Sequence, residues 1–237
     1  MGLAGGVPDH RIQAAGQARA QSRVAGQGAR MAGWSAIDLV LLGGLLLAAA
    51  VIRIPYLQFV PIITDESFEV LAALPISHGH LQLQGPVSSA GAVITYLFAL
   101  LFRLFGPSVD LPRQVIMAIG VLTVGATYLL GRSMGGRKAG FIAAALLACS
   151  PVHTVVNSHV AWSNAATPLF TTLLFTTLHA ALKHDDGRRL VLGGFFYGLA
   201  LQTHVSVAVI LPGIVLWFLA RKDILRWLRR PWPYLAV

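Results

Sequence analysis

Acidic residues are scarce in this chain: 9 of its 237 residues are Asp or Glu, and charged residues of both signs make up 11%. Soluble domains carry about 25% charged residues, so the composition excludes an ordinary soluble domain. Cysteine occurs once, at Cys149, which excludes an intrachain disulfide and a metal cluster built on cysteine ligands. No stretch combines aromatic and basic residues as nucleic-acid-binding motifs do, so we predict no nucleic-acid partner.

Apolar residues are abundant instead. They make up 56% of the chain, the mean hydropathy is +0.69, and several apolar runs approach the length that crosses a bilayer. We therefore predict an all-α, polytopic helical membrane protein with about six transmembrane helices, surrounded by membrane lipids, and two short interfacial helices in its first external loop. The predicted transmembrane segments are 36–52, 114–131, 139–157, 165–182, 190–203 and 205–220.

The distribution of basic residues predicts the topology. If the apolar segment 91–105 lies in the interface, three of the 18 Lys and Arg residues fall outside, namely Arg53, Arg103 and Arg113. If that segment crosses the membrane, most of the basic residues end up outside, against the positive-inside rule. We therefore predict a plasma or inner membrane protein with a cytoplasmic N-terminus, and large external loops at 53–113 and 151–164.

The chain divides at about residue 35. Residues 1–35 are rich in Gly, Ala, Gln and Arg, which predicts a disordered, basic cytoplasmic tail, and residues 36–237 form the membrane domain. A cleaved signal peptide is the alternative, because Ala48 and Ala50 form an A-x-A pattern. Residues 229–237 restart an apolar stretch after a basic loop, so we expect the chain to be the N-terminal part of a longer protein.

Three of the nine acidic residues fall within five positions, as Asp65, Glu66 and Glu69. Carboxylates beside membrane helices are costly to keep dry, so we expect them to face water or a substrate. There a carboxylate is able to act as general base for an acceptor hydroxyl or amine. The alternative is a plain helix start, with the Thr64 hydroxyl as N-cap and acids in the first turn.

Helical spacing separates the three acids: Asp65 and Glu69 share a face, and Glu66 points about 100° away. Arg113 is the second candidate, at the external entrance of a helix predicted to begin at Gln114. A guanidinium at that place either grips an anionic phosphate as a fork or anchors the helix at the interface.

The second external loop, 151–164, holds His159, Trp162 and Asn164. Hydrogen-bonding amides and an aromatic face are typical of sugar sites, and an interfacial Trp is the alternative. Several histidines also fall on this side, but without tight ligand spacing. We predict no protein metal site and leave a divalent cation open as a possible cofactor.

These features, in this order, resemble the membrane-embedded GT-C glycosyltransferases. The narrower resemblance is to the branch with dolichyl-phosphate-mannose protein mannosyltransferases and the bacterial aminoarabinose transferase of lipid A. The matching motifs are Asp65-Glu66, the helix from Tyr96 to Gly106, Pro112-Arg113, Leu122-Thr123, Tyr128-Leu-Leu-Gly-Arg132, Gly136-Arg-Lys-Ala-Gly140 and Ser150-Pro151. The family is usually longer, so the chain covers roughly its first half.

The resemblance implies transfer of a sugar, with inversion, from a polyprenyl-phosphate carrier to a lipid, glycan or protein acceptor outside the cytoplasm. It implies that Asp65 acts as base or positions the acceptor, that Glu66 supports it and that Arg113 assists. We count Asp65 and Glu66 as catalytic candidates. The substrate-binding candidates are Glu69, Arg113, His159 and Asn164.

Two departures from the family pattern stand out. Some relatives have Lys-Pro-Pro before the interfacial helix, where Lys meets the donor phosphate, but the stretch 84–90 here has no Lys. Some have Asp where this chain has Asn164. The rival interpretations are a transporter or flippase-like protein and an inactive fragment. Transport predicts ionisable residues near mid-membrane, whereas the acids here cluster near one surface.

Overall fold

All regular secondary structure in the described residues is helical, as the sequence predicts. The computed structural model describes residues 34–57, 59–83, 85–86, 89–220 and 227–235. The chain forms two units, Met1–Leu39 and Val40–Val237. The basic tail predicted for residues 1–35 lies, up to residue 33, outside the described residues.

The helices alternate between long apolar elements and short connecting ones. In chain order the α-helices are α1 (Ala36–Arg53), α2 (Thr64–Ser77), α3 (Val93–Phe105), α4 (Asp110–Ala148), α5 (Pro151–Val155), α6 (Thr167–His184), α7 (Gly187–Thr203), α8 (Ile210–Leu219) and α9 (Trp232–Leu235). Short 3-10 helices cover Ile54–Tyr56, Ser163–Ala166 and Val205–Val209.

Three helices are long and apolar enough to cross a membrane: Ala36–Arg53, Asp110–Ala148 and Ser163–His184. This finding confirms the membrane-protein class. The count of about six spans stays a prediction, since α7 has 17 residues and the apolar helix Val205–Leu219 is shorter still.

Helix α4 is two antiparallel arms joined at Gly136. Gly136 has φ 81° and ψ −175°, a backbone conformation that glycine adopts without the steric cost of a Cβ. The arms then pack closely, because a Cβ added to Gly140 would lie 2.6 Å from the carbonyl O of Tyr128. Gly136, the first residue of the Gly136-Arg-Lys-Ala-Gly140 motif, is thus the point at which the chain turns between the two arms.

Two predicted boundaries of these arms are wrong. The first arm begins at Asp110 rather than Gln114, so Arg113 belongs to its first turn. The predicted span 139–157 ends early, at Ala148, and a separate helix starts at Pro151. The restart has a local cause: the Ser150 side chain caps α5 by accepting from the His153 N–H, and Pro suits the first turn of a helix.

The two short helices of the first loop are present as predicted. Helix α2 begins at Thr64, and α3 covers all but two residues of the predicted segment 91–105. With 13 residues, α3 is about 20 Å long, short of a ~30 Å hydrocarbon core. Helices α2 and α3 pack against each other and against the start of α4.

The long helices bring two sets of loops together at opposite ends of the bundle. At one end, here called the site end, lie Arg53, Glu66, Arg113 and Ser163. At the other, the turn end, the carbonyl O of Ser133 accepts from His179 Nε2 and Lys183 Nζ, each at 3.2 Å. The basic residues of 132–138 and 183–189 lie together at the turn end, which the predicted topology assigns to the cytoplasm.

Candidate functional site

Glu66 and Arg113 form a buried, two-pronged ion pair at the site end. Arg113 Nε donates to Glu66 Oε1 at 2.6 Å and Nη2 donates to Oε2 at 2.8 Å. Glu66 is 1% exposed. The fork geometry matches carboxylate and guanidinium, so α2 is fastened to the first turn of α4. Two residues predicted to share a site are therefore in direct contact.

Arg113 also holds the segment that leads into α2. Its Nη1 donates to the carbonyl oxygens of Leu57 and Val60, both at 2.9 Å. The guanidinium therefore donates hydrogen bonds both to the Glu66 carboxylate and to these backbone oxygens. Arg113 is therefore a buried residue that joins α2 to α4 through Glu66. The two predicted roles, binding of phosphate and anchoring of the helix at the interface, stay predictions.

Asp65 differs from its neighbour because it is exposed and its carboxylate makes no hydrogen bond to any other residue in the described ranges. The helix start that places it does not use the predicted cap: Ile63 occupies the N-cap position, and Thr64 is the first helical residue. Asp65 therefore projects from the first turn of α2 as an available carboxylate, fixed to a helix that Glu66 anchors one residue later.

Glu69 faces inward, at 3% exposure. Its Oε2 accepts from the backbone N of Ser163 at 2.8 Å and from the Ser163 hydroxyl at 2.6 Å. Burial raises the pKa of Glu69, the two Ser163 bonds oppose the rise, and the charge of Asp65 adds to it. Glu69 thereby fixes the start of the 3-10 helix Ser163–Ala166.

Asn164 follows Ser163 and is half-buried. Its Oδ1 accepts from the Thr167 hydroxyl at 3.1 Å, and Thr167 in turn bonds to the Thr203 hydroxyl at 2.8 Å. Glu69, Ser163 and Asn164 therefore meet at the site end, which brings two of the predicted substrate-binding residues into one neighbourhood.

The raised pKa of Glu69 gives a prediction about pH. The folded protein holds the Glu69 proton more tightly than the unfolded chain does. The stabilisation that results is complete at pH values below the ordinary pKa of glutamate. It is lost as pH rises through the pKa that Glu69 has in the folded protein. We expect Glu69→Gln, whose amide oxygen still accepts from Ser163, to lessen the fall in thermal stability between about pH 4 and pH 8.

The measurement is the unfolding midpoint of the detergent-solubilised protein across that pH range. Asp110→Asn is the matched control, because Asp110 is an exposed acid in the first turn of α4. An unchanged pH profile in Glu69→Gln would refute the assignment.

His159 is fully buried, which differs from the sugar-lining position expected of it. Its Nε2 donates to the carbonyl O of Arg53 at 2.7 Å. Burial lowers the pKa of His159, and the positive charges of Arg53 and Arg113 lower it further. The hydrogen bonds of the ring to backbone groups act in the opposite direction. His153 is buried likewise and donates from Nε2 to the Gly120 carbonyl O at 3.2 Å. His159 thus joins the loop after α5 to the end of α1, and His153 joins α5 to α4.

Arg53 is a buried residue of this end that sequence reasoning left as an ordinary external Arg. It is 0% exposed. Its Nε donates to the Ser158 hydroxyl at 2.9 Å, and its Nη1 donates to the carbonyl oxygens of Ala49 at 2.9 Å and Ala148 at 3.5 Å. The sequence pattern that indicates such a residue is an Arg at the end of an apolar run with no Asp or Glu three or four positions away in the helix.

Within the described ranges, no three His, Cys, Asp or Glu side chains meet as a metal-binding group. Cys149 is a free, exposed thiol.

An apolar cavity of about 270 Å³ lies between α6, α7 and α8, near Trp227, and none of the predicted site residues lines it. The Lys-less stretch 84–90 is described in part, since residues 84, 87 and 88 lie outside the described residues.

Comparison with known proteins identifies one family. Residues 89–237 match the family model for dolichyl-phosphate-mannose-protein mannosyltransferase. The matched part contains Arg113, His159 and Asn164, and the acids at 65–69 precede it. No curated protein and no solved structure matches the chain.

Proposed function

The chain belongs to the dolichyl-phosphate-mannose-protein mannosyltransferase family, a family of GT-C membrane glycosyltransferases, and we therefore propose that it transfers a sugar from a polyprenyl-phosphate carrier. The acceptor is a lipid, glycan or protein bearing a hydroxyl or amine. The reaction forms a bond from the acceptor atom to C1 of the sugar, with inversion, and breaks the bond from C1 to the phosphate oxygen.

The observation that carries this proposal is the different availability of the three acids. Glu66 is held in the ion pair with Arg113 and Glu69 accepts from Ser163, whereas Asp65 is exposed. A general base must reach the proton that it removes, so Asp65 is assigned that role or the positioning of the acceptor. The proton of the acceptor passes to Asp65, and polyprenyl phosphate leaves as the anion.

The neighbouring residues serve Asp65 by fixing its helix. The bonds from Arg113 to Glu66, Leu57 and Val60 hold the start of α2 rigidly, and pre-positioned groups lower the entropic part of the barrier. Glu69 and Asn164 are assigned to binding the sugar or acceptor, because both lie at the site end next to Ser163. Glu69 accepts two hydrogen bonds from Ser163, and Asn164 is the next residue in the chain.

The reaction is assigned to the extracytoplasmic side of the plasma or inner membrane. The support is the charge distribution: the basic loops lie at the turn end, opposite Asp65, and basic loops stay in the cytoplasm.

The experiment that tests the donor class uses the purified protein in vesicles. It is supplied with synthetic polyprenyl-phosphate mannose or, separately, with a nucleotide-linked mannose, and with membrane-derived acceptors. We expect label to pass from the lipid-linked sugar and not from the nucleotide-linked one. Transfer from the nucleotide sugar alone would contradict the proposal.

A further inference from the structure

Arg53 is a buried cation whose neutralising partner is not found in the described part of the chain. Its Nη2 makes no hydrogen bond there, and its other three bonds go to a hydroxyl and to carbonyl oxygens rather than to a carboxylate. A guanidinium stays charged at any physiological pH, and burying an unpaired charge is strongly unfavourable. The arrangement therefore calls for an anion.

The other cations of the site end differ from Arg53. Arg113 is neutralised by Glu66, and Arg103, in the last turn of α3, is exposed and is therefore solvated. Among the described cations of this end, Arg53 alone combines burial with a charge that no carboxylate balances.

The surroundings of Arg53 fit a phosphate that carries an apolar chain. The apolar residues on either side of it in the chain are exposed, Ile52 at 37% and Ile54 at 57%. In a membrane such residues contact acyl or prenyl chains. Cys149, which follows Ala148, is also exposed, so the buried guanidinium lies close to a surface that lipid reaches.

We infer that Arg53 binds the phosphate of the polyprenyl-phosphate donor through its Nη2 group, with the prenyl chain along the exposed apolar residues beside it. The Nη2 atom is covered in this structure, so the side chains over it move aside when the phosphate enters. This inference rests on the proposed function. It supplies a phosphate ligand for a chain that has no Lys in the stretch 84–90 and whose Arg113 is engaged with Glu66. Arg53 is a binding residue in this assignment and takes no part in proton transfer.

The test measures binding of farnesyl phosphate, a short polyprenyl phosphate, to the detergent-solubilised protein, with farnesol as the probe that lacks the phosphate. We expect Arg53→Gln to weaken farnesyl phosphate binding about ten-fold or more, as the loss of a charge-assisted hydrogen bond implies. Arg53→Lys should retain most of the affinity, and farnesol should bind equally weakly to all forms.

Arg103→Gln is the matched control, because it removes one positive charge from the same end at an exposed position. Binding that is lost in Arg103→Gln and kept in Arg53→Gln would overturn the inference. A short-chain phosphatidic acid, added at the same concentration, identifies the source of the phosphate. If it displaces farnesyl phosphate with equal strength, the site recognises any lipid phosphate and the assignment to the donor is wrong.

A second readout covers the case in which Arg53→Gln does not fold. Cys149 is the single cysteine of the chain, so its alkylation by a maleimide in the wild-type protein reports on occupancy near Arg53. Farnesyl phosphate should slow the alkylation and farnesol should not. Equal effects of the two probes would overturn the inference. Neither readout requires sugar transfer, so phosphate binding without transfer would refute the proposed function and leave this site standing.

Discussion

Asp65→Asn is expected to lower the rate of sugar transfer by about a hundred-fold or more, because general-base catalysis contributes factors of roughly 10² to 10⁴. The amide keeps the shape of the carboxylate but does not take up the acceptor proton. Since the Asp65 side chain is exposed and makes no hydrogen bond in the described part of the chain, the substitution should leave the unfolding midpoint unchanged. Loss of rate with intact stability separates a chemical role from a structural one.

The measurement is the initial rate of transfer from polyprenyl-phosphate mannose at saturating donor. Asp65→Glu keeps the carboxylate but moves it by one methylene, so it should retain part of the rate. Asp110→Asn removes an exposed acid from the first turn of another helix at the same end and should transfer sugar at the wild-type rate. If Asp65→Asn transfers sugar within about two-fold of the wild type, Asp65 is not the base.

Removing the guanidinium of Arg113 should have the largest effect on stability. Arg113→Gln leaves Glu66, which is 1% exposed, as a buried carboxylate without its partner. Breaking a buried ion pair on one side costs about 3–5 kcal/mol of unfolding free energy. The loss of the bonds to the Leu57 and Val60 carbonyls adds to this cost, because both oxygens lose their donor.

The unfolding free energy is measured by titrating the protein in mixed micelles with a denaturing detergent. The double variant Glu66→Gln/Arg113→Gln should recover a large part of the loss, since no uncompensated charge stays buried. Arg103→Gln, at an exposed position, should stay within about 0.5 kcal/mol of the wild type. Equal stability of Arg113→Gln and Arg103→Gln would show that the ion pair does not hold the fold.

The sequence allowed the membrane class, the main helices and the acid cluster to be predicted, because each depends on local pattern. Apolar runs predict α1 and α6, Gly136 marks the turn inside α4, and the scarcity of acids draws attention to the residues at 65–69. Arg113 was selected for a chemical reason, the match of guanidinium to phosphate. Its pairing with Glu66 is a contact across 47 positions, which periodicity alone does not reveal.

Burial was harder to predict than secondary structure. Nothing local distinguishes His159, which lies fully buried, from the half-buried Asn164 of the same loop. Arg53 was counted as one external basic residue among three, whereas the meeting of α1 with Ser158 and Ala148 encloses it. The roles of Asp65, Glu66 and Glu69 also differ through tertiary partners alone, since all three belong to the same two turns of α2.

The proposed function requires Asp65 to lie at the extracytoplasmic end of the bundle and the basic turn of α4 to lie at the cytoplasmic end. The direct measurement starts from Cys149→Ser, which removes the single cysteine, and introduces either Asp65→Cys or Lys138→Cys. Intact cells are then treated with a membrane-impermeant maleimide. We expect position 65 to be labelled in intact cells and position 138 only after permeabilisation. Labelling of position 138 in intact cells, with position 65 protected, would contradict this expectation.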